Sequence, residues 1–241
     1  MKPKKLLKIN WDAEGIFKER LNRFVGIVDL PEEYGGPAQA VHVHDPGRLK
    51  ELLYPGARVA LKRADKPGRK TSWTLIAARH HGEWVLVNSG LHRQISQCLL
   101  TDPEISPFSQ VAGIVPEVRL GKSRLDYRLD FDEGPSVFVE VKGCTLAVDG
   151  IALFPDAPTA RGSRHVQELI AIMDEGFRAG LVILIFRRNV RCFSANGKTD
   201  PGFAQVFRDA MNAGVEVYPV ACAVEQNAVW YEGMVDICNI Y

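Results

Sequence analysis

The sequence lacks the long apolar segments of membrane and secreted proteins. No window approaches the ~20 consecutive apolar residues that a membrane-spanning helix needs. The segment Met1–Lys8 is basic, but the apolar run of a signal peptide does not follow it. We therefore expect a cytoplasmic protein without a membrane partner.

Paired cysteines are also lacking. The five cysteines are scattered along the chain, and no two of them form a C-x-x-C pair. This spacing predicts neither a disulfide framework nor a zinc site. We expect most of them to be small buried apolar residues.

Charge is present in both signs, but it is unevenly distributed. Residues 1–88 contain 16 Lys and Arg against 10 Asp and Glu, whereas residues 89–241 contain 14 against 19. A basic part joined to an acidic part is typical of a nucleic-acid-binding surface attached to a metal-binding unit. A chance distribution of solvated surface charge is the alternative.

The first 88 residues predict a small β-barrel. Short runs of alternating apolar residues are separated by Pro- and Gly-rich turns, and they lie at Phe24–Leu30, Gln39–His44, Ala57–Lys62, Trp73–Arg79 and Glu83–Val87. Five strands with a helix-like insert at Gly47–Leu53 fit an OB-type barrel, a common oligonucleotide-binding fold. A small barrel of another topology would have nearly the same pattern.

After Asn88 the pattern becomes α/β. A first helix is predicted at Gly90–Leu100, two amphipathic helices at Arg161–Ala179 and Gly202–Ala213, and strands at Gly113–Leu120, Arg124–Phe131, Val137–Val141, Leu181–Phe186 and Val215–Val220. The strand–helix–strand order implies parallel pairing within a mixed sheet. We predict two domains, residues 1–88 and 89–241.

Charged residues occupy one face of a predicted hairpin in the second part, "SRLDYRLDFDEGPSVFVEVKG". Side chains alternate along a strand, so Asp126 shares a face with Arg128, and Glu140 shares one with Lys142. A turn centred at Gly134 would place Arg128 opposite Glu140 and Asp126 opposite Lys142. The apolar residues then occupy the other face, with Leu125, Tyr127, Leu129 and Phe131 on one strand and Val137, Val139 and Val141 on the next.

This group of side chains suits metal-assisted phosphodiester chemistry. Two carboxylates bind a hard cation such as Mg²⁺, and a nearby ammonium can orient water or stabilise developing charge. Asp126 and Glu140 are thus candidate metal ligands, and Lys142 is a candidate catalytic residue. The alternative is an exposed hairpin with cross-strand salt bridges.

The interval from Asp126 to Glu140-x-Lys142 resembles the PD-(D/E)xK nuclease signature, although Leu125 replaces its proline. With "VHVHDPGRLKELLYPG", "SRLDYRLDF", "VFVEVKGCTL" and "FPDAPTARGSRHVQEL", the chain resembles the sugar fermentation stimulation protein A family. The resemblance implies an N-terminal OB-like domain and a C-terminal restriction-endonuclease-like domain. It also implies DNA binding, metal-dependent nuclease activity of low sequence specificity, and a role in regulating maltose or sugar metabolism.

Further residues are candidates for accessory roles. Glu117, on the preceding strand, is a second-choice catalytic acid, with an exposed strand glutamate as the alternative. Candidate nucleic-acid contacts are Arg20, Arg23, Lys62, Arg63, Lys66, Arg69, Lys70, Trp73, Arg161, Arg164 and His165. Of these, Trp73 would stack a base, and the residues at 161–165 would contact phosphate or scaffold the site. A solvated loop and a solvated helix face are the alternatives.

The leading hypothesis is a nuclease that uses Mg²⁺ or Mn²⁺ and acts on DNA, with RNA left open as a substrate. A non-catalytic DNA-binding regulator is the alternative. The sequence leaves the oligomeric state open, a homodimer included.

Overall fold

The computed structural model describes residues 3–64, 68–120, 123–225 and 227–238. The strands before Asn88 are β1 (Lys4–Lys8), β2 (Ala13–Asn22), β3 (Val25–Asp29), β4 (Gln39–His42), β5 (Arg58–Arg63), β6 (Trp73–His80) and β7 (Glu83–Leu86). Short 3₁₀ turns lie at Glu32–Tyr34 and Ser89–Leu91.

The remaining elements alternate between helices and strands. In chain order they are α1 (His92–Thr101), β8 (Val111–Leu120), β9 (Ser123–Phe131), β10 (Val137–Cys144), β11 (Ala147–Val148), β12 (Ile151–Phe154), α2 (Ala160–Asp174), β13 (Arg178–Ile185), β14 (Cys192–Ala195), α3 (Pro201–Asn212), β15 (Glu216–Glu225), β16 (Ala228–Met234) and β17 (Asp236–Ile237). No helix in the described part of the chain is both long and apolar enough to cross a membrane.

Five N-terminal strands close into a barrel of the OB type. Their order is β4-β3-β2-β5-β6, and parallel pairing of β4 with β6 closes the ring. The predicted barrel is confirmed, but its strand set is corrected: β2 belongs to it, whereas β7 continues into the C-terminal sheet. The sequence obscured β2 because only its first half alternates between buried and exposed residues.

The predicted helix-like insert at Gly47–Leu53 is not a helix. Leu49 has a φ of +49°, in the left-handed region, which a right-handed helix cannot include. The amides of Leu52 and Leu53 both donate to the Leu49 carbonyl, at 3.0 and 2.8 Å. The segment is a tight turn that buries its leucines, so the helical spacing reflects core packing.

The C-terminal part is built on a mixed sheet, as predicted. Strands β10, β13 and β15 are parallel neighbours, and β9 and β8 extend the sheet antiparallel. Helix α2 connects β10 to β13, and it ends at Asp174 rather than at Ala179. Gly176 has a φ of +87°, which breaks the helix, and Arg178 already begins β13. Strands β11, β12, β14 and β17 form a second, smaller sheet.

Two hydrophobic clusters cover the opposite faces of the main sheet. The first contains the barrel core, α1 and the side chains of Val137 and Val139. The second contains α2, α3 and Phe138. Because side chains alternate along β10, Glu140 lies on the same face as Phe138, towards α2.

Strand pairing and an ion pair join the two parts of the chain. Strand β1 pairs with β16, so that Leu7 lies opposite Val229, and β7 pairs with β15. Arg187 donates to Glu83 at 3.0 Å from the loop after β13. The domain boundary at Asn88 stays a prediction.

The expectation about cysteines needs one correction, because Cys192 and Cys238 form a disulfide. Strands β14 and β17 run parallel, and the Cys238 amide donates to the Phe193 carbonyl at 2.8 Å. Pairing of strands distant in sequence brings the two thiols together, which cysteine spacing cannot show. Cys144 and Cys222 are buried, as expected.

Candidate active site

The charged hairpin forms, with a register that differs from the predicted one. Phe138 pairs with Arg128 and Val139 pairs with Tyr127, whereas the predicted turn placed Arg128 opposite Glu140. The turn is centred one residue earlier, and Gly134 takes the left-handed conformation just after its centre (φ +91°). The shift is two residues along the partner strand, and an even shift keeps Arg128 on the face that Phe138 and Glu140 share.

Asp126 interrupts the pairing of β9 with β10. The described pairs end at Tyr127, and beyond it Asp126 Oδ2 accepts a hydrogen bond from the Val141 amide at 2.8 Å. The carboxylate thus takes the place of a backbone acceptor. Leu125 packs in the α2 cluster while Tyr127 and its neighbours pack in the barrel cluster, so the predicted common face for these residues is wrong.

Glu140 is the buried centre of the site, with 2% of its surface exposed. Its Oε1 accepts hydrogen bonds from Lys142 Nζ and His165 Nδ1, each at 2.5 Å. Its Oε2 is buried and has no hydrogen-bond partner among the described residues. A buried carboxylate oxygen without a partner is costly, and a proton, an ordered water or a cation would satisfy it.

Helix α2 brings His165 to Glu140. Arg161 Nε lies 3.3 Å from His165 Nε2, and because a guanidinium only donates, this nitrogen is the acceptor. We therefore assign the ring proton to Nδ1, which donates to Glu140. The Thr159 hydroxyl caps α2 by accepting from the Gly162 amide at 3.0 Å. His165 was predicted to contact phosphate or scaffold the site. Its burial and its bond to Glu140 favour the scaffold role, and the phosphate contact stays a prediction.

The two carboxylates differ in acidity. Burial, and then the negative charge of Glu140, raise the pKa of Asp126 to about 6. Burial alone would raise the pKa of Glu140, but the hydrogen bond from His165 and the charge of Lys142 outweigh it and lower that pKa below its usual value. At neutral pH both groups are ionised, and they repel each other.

This arrangement fits a hard divalent cation. Carboxylate oxygens are its preferred ligands, and Mg²⁺ commonly takes only one or two protein carboxylates and keeps several waters. The buried Glu140 Oε2, which has no partner in the described part of the chain, is the atom that a cation would satisfy. No group of three or more His, Cys, Asp and Glu side chains converges as a metal site in the described part of the chain. The residues therefore fit a largely hydrated ion.

Glu117 lies beside this cluster. Its neighbours on β8 pair with the residues on either side of Asp126, so the two backbones are level. Its φ of +54° is unusual for a glutamate. Its carboxylate is held at 3.4 Å by Arg93 and at 3.3 Å by Arg124. Its role as an accessory acid stays a prediction.

Most of the candidate nucleic-acid contacts lie on the surface. The exposed ones are Arg23, Lys62, Arg63, Arg69, Lys70, Arg161 and Arg164. Lys66 lies outside the described residues. Contact of these side chains with nucleic acid stays a prediction.

Trp73 is placed differently from the exposed stacking position that the sequence suggested. It is only 3% exposed, because it packs in the barrel core. The ring centroids of Trp73 and Tyr34 lie 6.1 Å apart with the ring planes nearly perpendicular, and the Arg63 guanidinium lies over the Trp73 ring, 5.1 Å from its centroid. Its remaining ring face is thus covered by the protein itself.

Arg20 is half-buried and is engaged by backbone groups of the barrel loops. Its guanidinium donates to the backbone carbonyls of Arg23, Asp45, Gly47 and Arg48, at 2.6 to 3.0 Å. These bonds join the β2–β3 hairpin to the loop after β4. DNA contact by Arg20 stays a prediction, and this geometry does not favour it.

A cleft of about 410 Å³ adjoins the site. One wall is the barrel loop around Gly47, the other is the segment before α2, and Lys142 and Gly143 line it as well. The Leu49 amide donates to Asp156 Oδ2 at 3.0 Å and joins the two walls.

His92 also lines this cleft, and sequence analysis missed it. A Cβ on Gly143 would lie 2.1 Å from its ring, which explains the glycine directly after Lys142. That glycine in a strand interior was the one available signal.

Comparisons with known proteins agree with both parts of this architecture. The model of the SfsA N-terminal OB domain matches residues 19–87, and that of the sugar fermentation stimulation protein RE domain matches residues 90–228. The sugar fermentation stimulation protein homolog of Methanococcoides burtonii is 46% identical over 97% of this chain and 95% of its own. That of Thermotoga maritima is 45% identical over 86% of each chain.

A solved structure extends the similarity to the whole fold. Pyrococcus furiosus SfsA, determined in complex with Ca²⁺, superposes with a TM-score of 0.85. It is 30% identical, and the match covers 98% of this chain and 99% of the other. With both family models matched in order along one chain, the protein belongs to the sugar fermentation stimulation protein (SfsA) family.

Proposed function

We propose that the protein is a metal-dependent nuclease that hydrolyses phosphodiester bonds of DNA with low sequence specificity. The observation that carries the proposal is the buried Glu140 Oε2, which no described residue contacts by a hydrogen bond, beside Asp126 and Lys142. A protein that only binds DNA has no need of an acid and a lysine clustered on a core strand beside a second carboxylate.

Asp126 and Glu140 are the residues that would hold the cation. The bound ion would polarise the phosphate and make water more acidic. His165 and the Val141 amide fix the two carboxylates by hydrogen bonds, so the ligands are oriented before the ion arrives.

Lys142 is the charged group that faces both the carboxylates and the cleft. Its ammonium bonds to Glu140, and its side chain is 14% exposed. At the edge of the cleft, that ammonium can orient the attacking water and stabilise the negative charge that develops on the phosphate.

The comparisons support the choice of metal and substrate. Ca²⁺, present in the Pyrococcus furiosus relative, is a hard cation that prefers oxygen ligands, as Mg²⁺ and Mn²⁺ do. The OB barrel and the exposed basic side chains suit contact with phosphates, which carries no sequence information. RNA remains open as a second substrate.

The alternative is a non-catalytic DNA-binding regulator of sugar (maltose) metabolism. The name of the relatives, sugar fermentation stimulation protein homolog, favours it. Such a regulator would bind DNA through the same basic surface and would leave plasmid uncut with every divalent ion.

Substitutions on β10 separate these two functions. With Mg²⁺ or Mn²⁺ we expect the wild type to cleave plasmid, and Glu140→Gln and Lys142→Ala to be slower by roughly 100-fold or more, since each loses a metal ligand or a transition-state charge partner. Glu133→Gln is the matched control, because this glutamate lies exposed in the turn of the same hairpin.

Binding without metal is the second readout. Glu140→Gln should bind DNA in EDTA at least as well as the wild type, because a negative charge near phosphate is gone. Equal cleavage by wild type and both variants would place the active site elsewhere. A pure wild type that never cleaves would favour the regulator.

A further inference from the structure

The hairpin between β2 and β3 presents an aromatic side chain to solvent. Phe24 is 49% exposed, and Leu21 in the same hairpin is 56% exposed. Arg23 lies between them in sequence and is exposed as well. This contrasts with Trp73, the aromatic residue that the sequence suggested as a stacking platform, which is buried.

The backbone of Phe24 is fixed although its ring is free. Its amide donates to Asn22 Oδ1 at 2.9 Å, and its carbonyl accepts from the Val43 amide at 2.9 Å. The phenyl ring therefore projects from a fixed backbone position on the barrel surface. A preorganised aromatic group loses little conformational entropy when it binds a ligand.

This hairpin lies at the rim of the cleft that contains Lys142. Arg23 lines that cleft, and the Arg20 guanidinium fastens the hairpin to the barrel loop that forms one of its walls. The exposed ring thus follows a cationic residue in the same hairpin, and that residue, Arg23, lines the cleft beside the candidate active site. Cationic and aromatic side chains in sequence along a groove are the features that bind single-stranded nucleic acid.

We infer that Phe24 stacks on an unpaired base and that Arg23 contacts the backbone phosphate of the same strand as it enters the cleft. The substrate is then single-stranded DNA, or a single-stranded end, because paired bases do not expose their faces. This inference rests on the proposed nuclease function for its meaning, but binding can be measured without catalysis.

The test is the affinity of the full chain in EDTA for a fluorescein-labelled 20-residue oligo(dT) and for a blunt duplex of the same length. Phe24→Ala should weaken oligo(dT) binding roughly tenfold and leave duplex binding unchanged. Phe24→Trp should keep the wild-type affinity for oligo(dT), since any aromatic ring can stack. Leu21→Ala is the matched control, because it removes an exposed apolar side chain that cannot stack, and thermal unfolding checks the fold of each variant.

The outcomes separate this inference from the nuclease proposal. A wild type that binds oligo(dT) through Phe24 but never cleaves would refute the nuclease and leave the stacking site standing. Equal effects of Phe24→Ala and Leu21→Ala, or equal losses for both DNA forms, would overturn the stacking site. A change in self-association of Phe24→Ala without any loss of DNA binding would show a contact between copies instead, and would overturn it too.

Discussion

Asp126 bears an electrostatic cost that its neighbours only partly offset. Its carboxylate is partly buried next to the negative Glu140, and both effects raise its pKa to about 6. A cation between the two carboxylates would reverse this cost. The same residue would therefore link metal binding to stability.

Asp126→Asn should stabilise the metal-free protein at neutral pH. Because the pKa of Asp126 is raised in the folded state, the ionised carboxylate destabilises the fold. The contribution of this group to stability is fully present below the unfolded pKa of about 3.9, and it is lost as the pH rises through about 6. The variant removes the charge and keeps an acceptor for the Val141 amide. We expect it to gain roughly 1 to 2 kcal/mol at pH 7.5 after allowance for partial exposure, and nothing at pH 3.5.

Urea unfolding in EDTA at several pH values measures this effect. When Mn²⁺ replaces EDTA in the buffer, the wild type should become more stable, whereas the stability of Asp126→Asn should change little. A variant that is less stable than the wild type at pH 7.5 without metal would contradict the raised pKa. Asp132→Asn, in the exposed turn, is the control for removing an acidic residue from the same hairpin.

At the scale of elements, the contact of α2 with β10 determines how Glu140 is held. His165 reaches Glu140 Oε1 from the first turns of α2, and Arg161 holds the other ring nitrogen. A helix residue thus orients a strand residue, which is the way outer hydrogen bonds commonly fix a metal ligand.

His165→Ala should weaken metal binding by roughly 10- to 100-fold without abolishing the fold, because Glu140 loses the donor that orients it. His165→Gln should restore part of the affinity, since its amide can donate to the same oxygen. Titration with Mn²⁺ followed by calorimetry measures this. Arg164→Ala is the control from the exposed face of the same helix. Unchanged affinity in His165→Ala would show that the imidazole serves packing alone.

Sequence patterns predicted the strands that are either buried along their whole length or alternate regularly between two faces. The run Leu181–Phe186 was recognised because every residue of it is buried, and the face of each charge on β10 followed from alternation. The register of β10 against β9 was two residues off, because it depends on where Gly134 lies in the turn. The Asp126–Val141 hydrogen bond could not be predicted, because it forms where the ladder ends.

The sequence predicted only those site residues that lie close together along the chain. Asp126, Glu140 and Lys142 were found because they lie close together along one hairpin, where local rules apply. The bond of His165 to Glu140 and the packing of His92 on Gly143 were not, since both join elements through tertiary packing. Trp73 was wrongly predicted to be exposed. A tryptophan next to a basic loop has the same sequence pattern whether its side chain is buried or exposed.

At the scale of the whole molecule, the barrel strands and the C-terminal strands belong to one continuous sheet. Strand β1 pairs with β16, and it buries Leu6 in a core that extends from the barrel to β13 and β15. Strand β7 joins the barrel strand β6 to β15. The division at Asn88 therefore crosses a continuous sheet, and the two parts should depend on each other.

Deletion of residues 1–8 should lower the stability of the whole chain in a single transition. Loss of the β1 pairing and of the buried Leu6 should cost roughly 2 kcal/mol or more. Lys4→Ala is the control: it removes only the ion pairs with Asp102 and Glu104, and exposed pairs contribute little. Differential scanning calorimetry distinguishes the outcomes. Two separate transitions, with only one of them shifted, would show that the halves fold independently.

The pairing of β1 with β16 also has a consequence for synthesis on the ribosome. Strand β1 must wait for β16, which is synthesised much later, since Leu7 lies opposite Val229. The barrel strands β2 to β6 can close much earlier, because their partners are near in sequence. During translation the nascent protein should thus pass through a stage in which a formed barrel carries an unpaired β1, and synthesis of β16 completes the sheet.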